Sequence, residues 1–521
     1  MAAYPLLEKL KKLISALSSA QKRDFRRYIQ SLGGDNTRYV RLFDAINEWL
    51  KLKKFPEKFL TDLTTRKVIR KPEEFSVVAG ILYEKILESM RNTPRSRAAK
   101  NQIRGIISDI QFLADIELYP ESLALLDKAR ELAKKFDYPP YLLDLLSVER
   151  EILFLSRRSD FFQRLEEIRT EEDLLIQRLT TDQLIYSLNI ATLKRLVQND
   201  NVPEESSISL NDWRNLAATN PADIEALPFR TQRRLNIALM NDIDFYSGKE
   251  DSRAATRLQY AQNIVQLYEL FPQFKSEEPD LYIQHLGMFL SLALEQGAGH
   301  FFEQAKSDLP NLEGTAGFCR WVAPVYLHWY YQSEDYAAGC KFIDEMDLAK
   351  QIETFHDKMT PSRYMTICFT AFELCWLNKQ PKDALDWLNR IIMYKPASFQ
   401  LDLQCFARFL QIPVLCDCGI FKAHLTPLYV TEGLQRWLRK HNFTTPFHQS
   451  LLGLMKEIAV TPETFHSVPT NVKVIAALEK EMSAGTVQTN PLTLILVWLK
   501  ARQEKKSMDQ VVKRFLSKKQ E

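Results

Sequence analysis

The sequence predicts an all-α fold built from helical hairpins, and three observations lead to that prediction. Apolar residues recur at helical spacing along most of the 521 residues, and almost no segment alternates apolar and polar residues as a half-buried strand does. Glycine is scarce, at 15 residues, which disfavours turn-dense β folds. Short polar turns join helices too apolar to stand alone, so consecutive helices must cover each other. We therefore predict an αα-hairpin solenoid with a helical amino-terminal module.

The amino-terminal module, residues 1–104, is predicted to be basic. It contains 23 Lys and Arg against 11 Asp and Glu, a net charge of +12, whereas the remainder has 46 against 55 and a net charge of −9. Such an uneven distribution indicates either a solvated basic surface or an electrostatic footprint for an acidic partner.

The chain is expected to be cytoplasmic. Its first helix, within MAAYPLLEKLKKLISAL, has charged residues where a secretory signal needs an unbroken apolar core. The longest apolar stretches, such as LILVWL at residues 494–499, fall far short of the roughly 20 residues of a membrane span, so we predict no membrane association. The seven cysteines lie within residues 319–418 and fit reduced thiols.

Helical hairpins follow one another after the basic module. The first is predicted at residues 106–140, where an apolar helix, a turn at Tyr119 and Pro120, and an amphipathic helix occur in that order. The same order recurs at residues 282–309 and 326–347. Further helices are predicted at residues 142–154, 181–198, 231–246, 253–270, 402–416, 425–440, 447–458 and 470–482.

The best-defined hairpin covers residues 360–396. Thr360 can cap its first helix and Pro361 suits the first turn. In KQPKDALDWLNRIIMYKP the second helix carries a wide apolar stripe, and Pro396 disfavours helix at the residue before it. The connection NKQ is short, so the two helices are predicted to be antiparallel neighbours.

Two polar segments suggest boundaries between three parts. Residues 91–105 separate the basic module from a first helical-hairpin array at 105–200. Residues 198–212, QNDNVPEESSISLND, have weak periodicity and precede the main solenoid, predicted at 210–521. The basic, amphipathic tail with Met508, Val511, Val512 and Phe515 on one side is predicted to cap that array.

The segment at residues 367–396 resembles a tetratricopeptide repeat. Ala384 matches the small residue that opens the second helix of such repeats, Pro396 follows twelve positions later, and Leu388 is the large apolar residue between them. Ser122 and Gly339 take the place of Ala384 in other hairpins. The unequal separations, 45 residues from Gly339 to Ala384, indicate divergent repeats.

A wider resemblance covers most of the chain. SSAQKRDFRRYIQS, then YVRLFDAINEWL, and later GLQRWLRKHNFTTPFHQSLLGLMKEI resemble a poorly characterised family of bacterial tetratricopeptide-like proteins. The resemblance implies a helical-repeat fold in the bacterial cytoplasm and assigns no activity or catalytic residue.

The sequence contains no familiar catalytic or metal-binding motif. GxxxxGK[ST], GxGxxG after a strand, GxSxG and HExxH are all missing. Cys416, Cys418 and His424 come nearest to a metal site, but their spacing differs from that of structural zinc ligands. We therefore predict no enzyme activity, no metal and no cofactor.

Two groups of residues are candidates for binding a partner. The aromatic residues Trp329, Tyr330 and Tyr331 form either interior helix contacts or a groove wall for a partner peptide. The basic residues are read either as a solvated helix face or as a surface for an acidic ligand, and they are Lys22, Arg23, Arg26, Arg27, Arg97, Lys100 and Arg104.

The leading functional hypothesis is a non-enzymatic scaffold or adaptor that binds a protein segment on the surface of its helical repeats. The first alternative is a nucleic-acid-associated protein that uses the basic module. The second is an enzyme with an unrecognised all-helical site.

Overall fold

Every regular element in the described part of the chain is a helix. The computed structural model describes residues 5–17, 19–33, 37–51, 59–92, 99–156, 160–198, 227–246, 250–395, 399–419, 426–460 and 491–517. Within these ranges the chain forms α-helices, three short 3₁₀ turns and one π-helical turn, and no strand. The prediction of an all-α fold is confirmed, because helical periodicity is the main pattern of apolar residues.

The chain divides into two compact units, Met1–Gln183 and Leu184–Glu521. The three-part division at residues 104 and 200–210 stays a prediction, and residues 199–226 and 93–98 lie outside the described residues. The α-helices that begin in the first unit are Pro5–Ala16 (α1), Ser19–Ser31 (α2), Thr37–Lys51 (α3), Phe59–Thr65 (α4), Phe75–Asn92 (α5), Ala99–Asp115 (α6), Tyr119–Lys135 (α7), Pro139–Ser156 (α8) and Phe161–Gln198 (α9).

The first unit contains two principal clusters of buried side chains. Helices α1, α2, α3 and α5 pack around one of them, in which the rings of Phe25 and Phe43 lie 4.6 Å apart. Helices α6, α7 and α8 pack consecutively around the other, which includes Ile103, Leu126 and Leu145. The predicted hairpin at residues 106–140 corresponds to α6 and α7.

The second unit has one principal core, which extends from Phe229 to Val512. The α-helices of this unit are Phe229–Tyr246 (α10), Glu250–Leu270 (α11), Gln273–Glu277 (α12), Pro279–Glu295 (α13), His300–Ala305 (α14), Leu309–Leu312 (α15), Ala323–Gln332 (α16), Tyr336–Glu345 (α17), Leu348–Thr354 (α18), Pro361–Leu377 (α19), Pro381–Ile392 (α20), Leu401–Asp417 (α21), Thr426–Lys440 (α22), Pro446–Val460 (α23), Pro491–Glu504 (α24) and Met508–Ser517 (α25).

The hairpin of α19 and α20 begins at the predicted cap and turns at the predicted connection, but α20 ends at Ile392, before the predicted stop at Lys395. Pro396 lies outside the described residues. The Thr360 side chain accepts a hydrogen bond from the Arg363 amide at 3.3 Å, which caps α19. The two helices pack against each other, and α20 packs in turn against α21. Ala384, Leu388 and Ile391 are all buried, so the apolar stripe of α20 faces its neighbours.

Two predicted helices differ from the structure. The helix predicted at residues 181–198 is the end of the longer helix Phe161–Gln198. The first half of this helix is rich in charged residues that weaken its apolar periodicity, and pairs such as Arg164 and Glu167, 2.9 Å apart, stabilise it. The second helix predicted within 282–309 ends at Ala305 and continues as a 3₁₀ turn, Lys306–Asp308, before Leu309–Leu312. The helix predicted at 470–482 lies outside the described residues.

The same turn follows helices α6, α7, α16, α19 and α22. The residue two positions after the helix end has a left-handed backbone, with φ between 54° and 63°. The next amide donates to a carbonyl five residues earlier, as from Gln380 to Cys375 at 2.9 Å, which satisfies carbonyls left free at the helix end. The left-handed residues of these turns are Glu117, Asp137, Glu334, Lys379 and Asn442.

None of the helices in the described part of the chain combines the length and the apolar character needed to cross a bilayer.

Candidate functional site

A cleft in the second unit lies where the ends of several helices meet. It has a volume of about 280 Å³, and we call it the tryptophan pocket. It lies among the last turns of α19, α21 and α24 and the first turns of α20 and α25. Its lining residues are Trp376, Leu377, Lys379, Pro381, Asp417, Trp498, Ala501, Arg502, Lys506, Ser507 and Met508.

Asp417 organises the tryptophan pocket. Its carboxylate accepts hydrogen bonds from the indole N–H groups of Trp376, at 2.9 Å, and of Trp498, at 3.0 Å. It also forms an ion pair with Arg502, whose guanidinium lies 5.4 Å from the Trp498 ring centroid. Both tryptophans are almost fully buried, so a single carboxylate fixes the orientation of the two rings that form the floor of the pocket.

The rim of the pocket is positively charged. Lys379 and Lys506 are both exposed, and each is carried by a turn that follows a helix end. Lys379 has a left-handed φ of 61° after α19, and Lys505 has one of 52° after α24. Lys379 makes no ion pair within the described residues, whereas Lys506 is 3.1 Å from Glu504.

This arrangement favours binding over catalysis. The carboxylate of Asp417 already accepts from three donors, so it is not placed to remove a proton from a substrate. The lining instead offers the half-buried Met508 side chain and two surface ammonium groups, above a floor formed by the two tryptophans. An apolar group flanked by negative charge would match both the floor and the rim.

The predicted aromatic residues lie in the core or pack against it. Tyr330 is buried, while Trp329 and Tyr331 are half-buried. The Trp329 ring stacks on Phe302 at 4.7 Å with an interplanar angle of 14°, and the Lys306 ammonium lies 5.4 Å from the Trp329 ring centroid. These contacts account for the aromatic residues by packing, and a binding role for them stays a prediction.

The predicted basic residues divide into paired and exposed ones. Lys22 donates to the Asn47 side chain at 2.8 Å, and Arg26 forms an ion pair with Asp44 at 2.6 Å. Burial, together with the charges of Lys51 and Arg26, lowers the pKa of Lys22. Two members of the patch on α2 are therefore engaged within the fold.

The other predicted basic residues are exposed where the structure describes them. Arg23 and Arg27 on α2 and Lys100 and Arg104 on α6 are accessible to solvent. The two pairs belong to different helix clusters of the first unit. Arg97 lies outside the described residues, so a single basic surface stays a prediction.

Ionisable side chains also converge around Glu278. Arg230 and Arg233 both form ion pairs with this carboxylate, and Arg233 donates to the Tyr268 hydroxyl at 3.1 Å. That hydroxyl lies 3.2 Å from Nδ1 of His285. Burial opposes ionisation of Glu278, yet the two arginines hold its pKa below its usual value. Burial, with a contribution from Arg233, lowers the pKa of His285 to about 4.

The network around Glu278 is internal and connects α10, α11 and α13. Tyr268 and His285 are both buried, and each has a partner inside the network. We therefore assign it to fold stability and not to substrate binding.

No metal site is formed by the described residues. No group of three or more His, Cys, Asp or Glu side chains among them is arranged to hold an ion. Cys416 and Cys418 are half-buried at the end of α21 and just after it, and His424 lies outside the described residues.

The tryptophan pocket is not predicted by any pattern in the sequence. Trp376 lies within the first helix of the hairpin predicted at residues 360–396, and no motif includes Asp417, Trp498 or Arg502. The indole–carboxylate contacts join residues 41 and 81 positions apart, and no local spacing predicts contacts over such separations. The chain matches none of the protein-family models, curated proteins or solved structures with which it was compared.

Proposed function

We propose that this chain is a non-enzymatic interaction protein of the cytoplasm, in which a solenoid of divergent tetratricopeptide-like hairpins uses the tryptophan pocket to bind an acidic segment of a partner protein. The occupant is an apolar side chain flanked by Asp or Glu residues. The apolar side chain packs against Met508 above the floor that the two tryptophans form, and the carboxylates face the ammonium groups of the rim.

The observation that carries the proposal is the binding of two indole N–H groups and one guanidinium to Asp417. This arrangement keeps the rings of Trp376 and Trp498 in place when the pocket is empty. Binding then requires little further ordering of the protein, and preorganisation of this kind raises affinity. Buried tryptophans with a neighbouring arginine are also the residue types that dominate binding energy at protein interfaces.

Charge argues for an acidic occupant. Lys379, Arg502 and Lys506 line the pocket with a single carboxylate, Asp417. Their excess of positive charge favours a negatively charged ligand over a basic one and accelerates its association at low ionic strength.

Three features support the repeat architecture. Helices α19, α20 and α21 pack consecutively, the same left-handed turn recurs between helices, and residues 367–396 resemble a tetratricopeptide repeat. A stack of such hairpins has an extended surface on which partner segments dock. The resemblance to bacterial tetratricopeptide-like proteins is the reason for proposing a cytoplasmic role.

The test is selection of a random peptide library displayed on phage against the full-length chain. Parallel selections use a Lys379→Glu/Lys506→Glu variant and a matched control, Lys341→Glu/Lys350→Glu, whose lysines are also exposed. Neither altered lysine of the pocket donates to Asp417, so the floor stays formed.

We expect enriched peptides to combine Asp or Glu with Leu, Phe or Trp, and to be lost only with the pocket variant. For a synthetic enriched peptide, the pocket variant should lower the affinity about tenfold or more, and added salt should lower it further. Equal enrichment on all three proteins, or equal binding of a charge-reversed peptide, would contradict the proposal.

A further inference from the structure

A second cleft in the same unit brings two thiols together. Cys340 on α17 and Cys375 on α19 both line it, and their Sγ atoms are 3.9 Å apart. Cys340 is 5% exposed and Cys375 is 3% exposed. Both residues are therefore buried in the wall of the cleft. Its volume is about 260 Å³, which admits a small molecule and excludes a folded protein.

Helices α17 and α19 pack tightly against each other beside this thiol pair. Gly339 and Leu374 precede the two cysteines in the chain, and a Cβ added at Gly339 would lie 3.0 Å from the Leu374 side chain. A disulfide bond is about 2.0 Å long, so the sulfur atoms must close by about 2 Å. Formation of the bond therefore requires rotation of the side chains and a small shift of the helices.

The cleft around the thiols is acidic. Four aspartates line it, Asp344, Asp347, Asp383 and Asp386. The cation that lines it, Arg390, is 3.2 Å from Glu353 and so is already paired. Negative charge at the entrance repels anionic reagents and concentrates cationic ones.

We propose that Cys340 and Cys375 form a reversible thiol–disulfide modification site that reacts with small disulfides, and that the acidic cleft selects cationic disulfides over anionic ones. The proposal depends on the geometry of the thiol pair and the charge of the cleft, and it does not depend on partner binding at the tryptophan pocket.

The reaction consists of two exchange steps. The Cys340 thiolate attacks one sulfur of the small disulfide, so that a mixed disulfide forms, the original disulfide bond breaks, and one thiolate leaves and takes up a proton. Cys375 then gives its proton to solvent and attacks Sγ of Cys340, which displaces the second small thiol. Two protein thiols are oxidised and one disulfide is reduced to two thiols, so no other oxidant is needed.

The environment favours Cys340 as the attacking group. The thiol–thiol contact with Cys375 lowers the pKa of Cys340 despite burial and the charge of the nearby aspartates, and the same contact together with burial raises the pKa of Cys375. Burial raises the pKa of Cys368 and of Cys405 to about 12. The thiolate is the reactive form, so Cys340 should react before these buried thiols.

The experiment treats the folded, reduced, full-length protein with cystamine, stops the reaction with acid, and maps the cysteine peptides by mass spectrometry. We expect a disulfide between the peptides that carry Cys340 and Cys375. In the Cys375→Ser variant the reaction should stop at a mixed disulfide between cysteamine and Cys340. The Cys340→Ser variant should form neither this adduct nor the internal disulfide. Cys368→Ser, a change on the same helix α19, is the control and should leave the disulfide unchanged.

Charge selection is measured by comparing cystamine with glutathione disulfide, which is anionic. In the folded protein, the rate with cystamine divided by the rate with glutathione disulfide should be about tenfold larger than the same ratio in the urea-unfolded chain, which has no cleft. Asp383→Asn/Asp386→Asn should reduce that excess, while the disulfide between Cys340 and Cys375 still forms.

Two results would overturn the proposal. One is that adducts form on Cys416 or Cys418 while Cys340 and Cys375 stay reduced. The other is that the disulfide forms only in urea. Circular dichroism establishes that each variant is folded, and Cys375→Ala repeats the adduct test without a hydroxyl in place of the thiol.

Discussion

At the scale of single residues, the second unit buries ionisable groups in two contrasting ways. Glu278 is buried between Arg230 and Arg233, and its network extends to His285. Glu373 is 7% exposed and makes no hydrogen bond or ion pair within the described residues, and burial raises its pKa well above the usual value. Paired burial is tolerated, whereas unpaired burial of a carboxyl is costly.

His285 should make stability fall as the solution becomes acidic. Its pKa is about 4 in the folded protein and 6.5 in the unfolded chain, so the unfolded chain binds the proton first as the pH falls. Between about pH 8 and about pH 5 this single group should remove about 2 kcal/mol of stability.

The variant His285→Asn keeps an acceptor near the Tyr268 hydroxyl and does not titrate. Urea unfolding at the two pH values should therefore show a stability loss that is smaller by about 2 kcal/mol than in the wild type. The pair Glu278 and Arg233 titrates outside this range, because the pKa of Glu278 is lowered from 4.5 and that of Arg233 is raised. An equal loss in both proteins would show that His285 is not the group responsible.

Replacing Glu373 with Gln should stabilise the protein at neutral pH. The free energy of unfolding should rise by about 1–3 kcal/mol, because an amide has no charge to lose on burial. The unfolded Glu373 carboxyl becomes protonated near pH 4.5, so the gain should shrink as the pH falls towards that value. Urea unfolding at neutral and acidic pH measures both effects.

The matched change for that measurement is Glu345→Gln on α17. Glu345 is exposed and forms a surface ion pair with Lys341 at 3.4 Å, so its replacement should change stability by no more than about 0.5–1 kcal/mol. A Glu373→Gln variant that is no more stable than the wild type at neutral pH would mean that this carboxyl has a favourable partner.

At the scale of secondary-structure elements, the sequence patterns predict helices better than their interruptions. Apolar stripes and the Thr360 cap correctly predict where α19 begins and where the turn to α20 lies. No sequence pattern predicts the π-helical turn Phe318–Val322. Such a turn changes the hydrogen bonding of only one turn, from i→i+4 to i→i+5, so the apolar residues on either side keep helical spacing. The recurring left-handed turns were also hidden, since Glu, Asp, Lys and Asn occupy the position where glycine is usual.

The π-helical turn explains a glycine in the middle of α13. A Cβ at Gly287 would lie 2.5 Å from the carbonyl oxygen of Trp321, whereas one at Gly433, within α22, would meet nothing within 4 Å. Gly287→Ala should therefore destabilise the protein by about 2 kcal/mol. Gly433→Ala should stabilise it by about 1 kcal/mol through helix propensity.

The two alanine variants serve as each other's control, because helix propensity favours both. Urea unfolding followed by circular dichroism gives the two free energies. Stabilisation by both substitutions would show that α13 does not approach the π-helical turn as closely as described.

At the scale of the whole molecule, the parts that sequence reasoning missed are those that distant residues build together. The all-α fold follows from local periodicity. The tryptophan pocket depends on Trp376, Asp417 and Trp498, and the thiol pair depends on Cys340 and Cys375, which are 35 positions apart. Each of these residues reads as an ordinary core or helix-end residue until the helices are packed.

Asp417 should hold the carboxy-terminal helices of the second unit in place. Asp417→Ala leaves the indole N–H groups of Trp376 and Trp498 without their acceptor, at an expected cost of about 3 kcal/mol. Hydrogen exchange should increase in α19 and α24, and the helices of the first unit should keep their protection.

Asp386→Ala is the comparison for Asp417→Ala. Asp386 is exposed on α20, so its removal should change stability by about 0.5 kcal/mol or less. Equal hydrogen-exchange rates in α19 and α24 of the two variants would show that Asp417 does not hold these helices in place, and that the pocket floor is not made rigid by its carboxylate.

The left-handed residues between helices are positions at which substitution by glycine should increase thermal stability. Each non-glycine residue in that conformation carries a penalty of about 1 kcal/mol, and Glu117 and Glu334 have no part in either cleft. Glu117→Gly, in the smaller unit, should raise the melting temperature by about 3 °C, and Glu334→Gly, in the larger unit, by about 1 °C, as scanning calorimetry would show. Thermal tolerance in this protein can therefore be improved without altering a single core side chain.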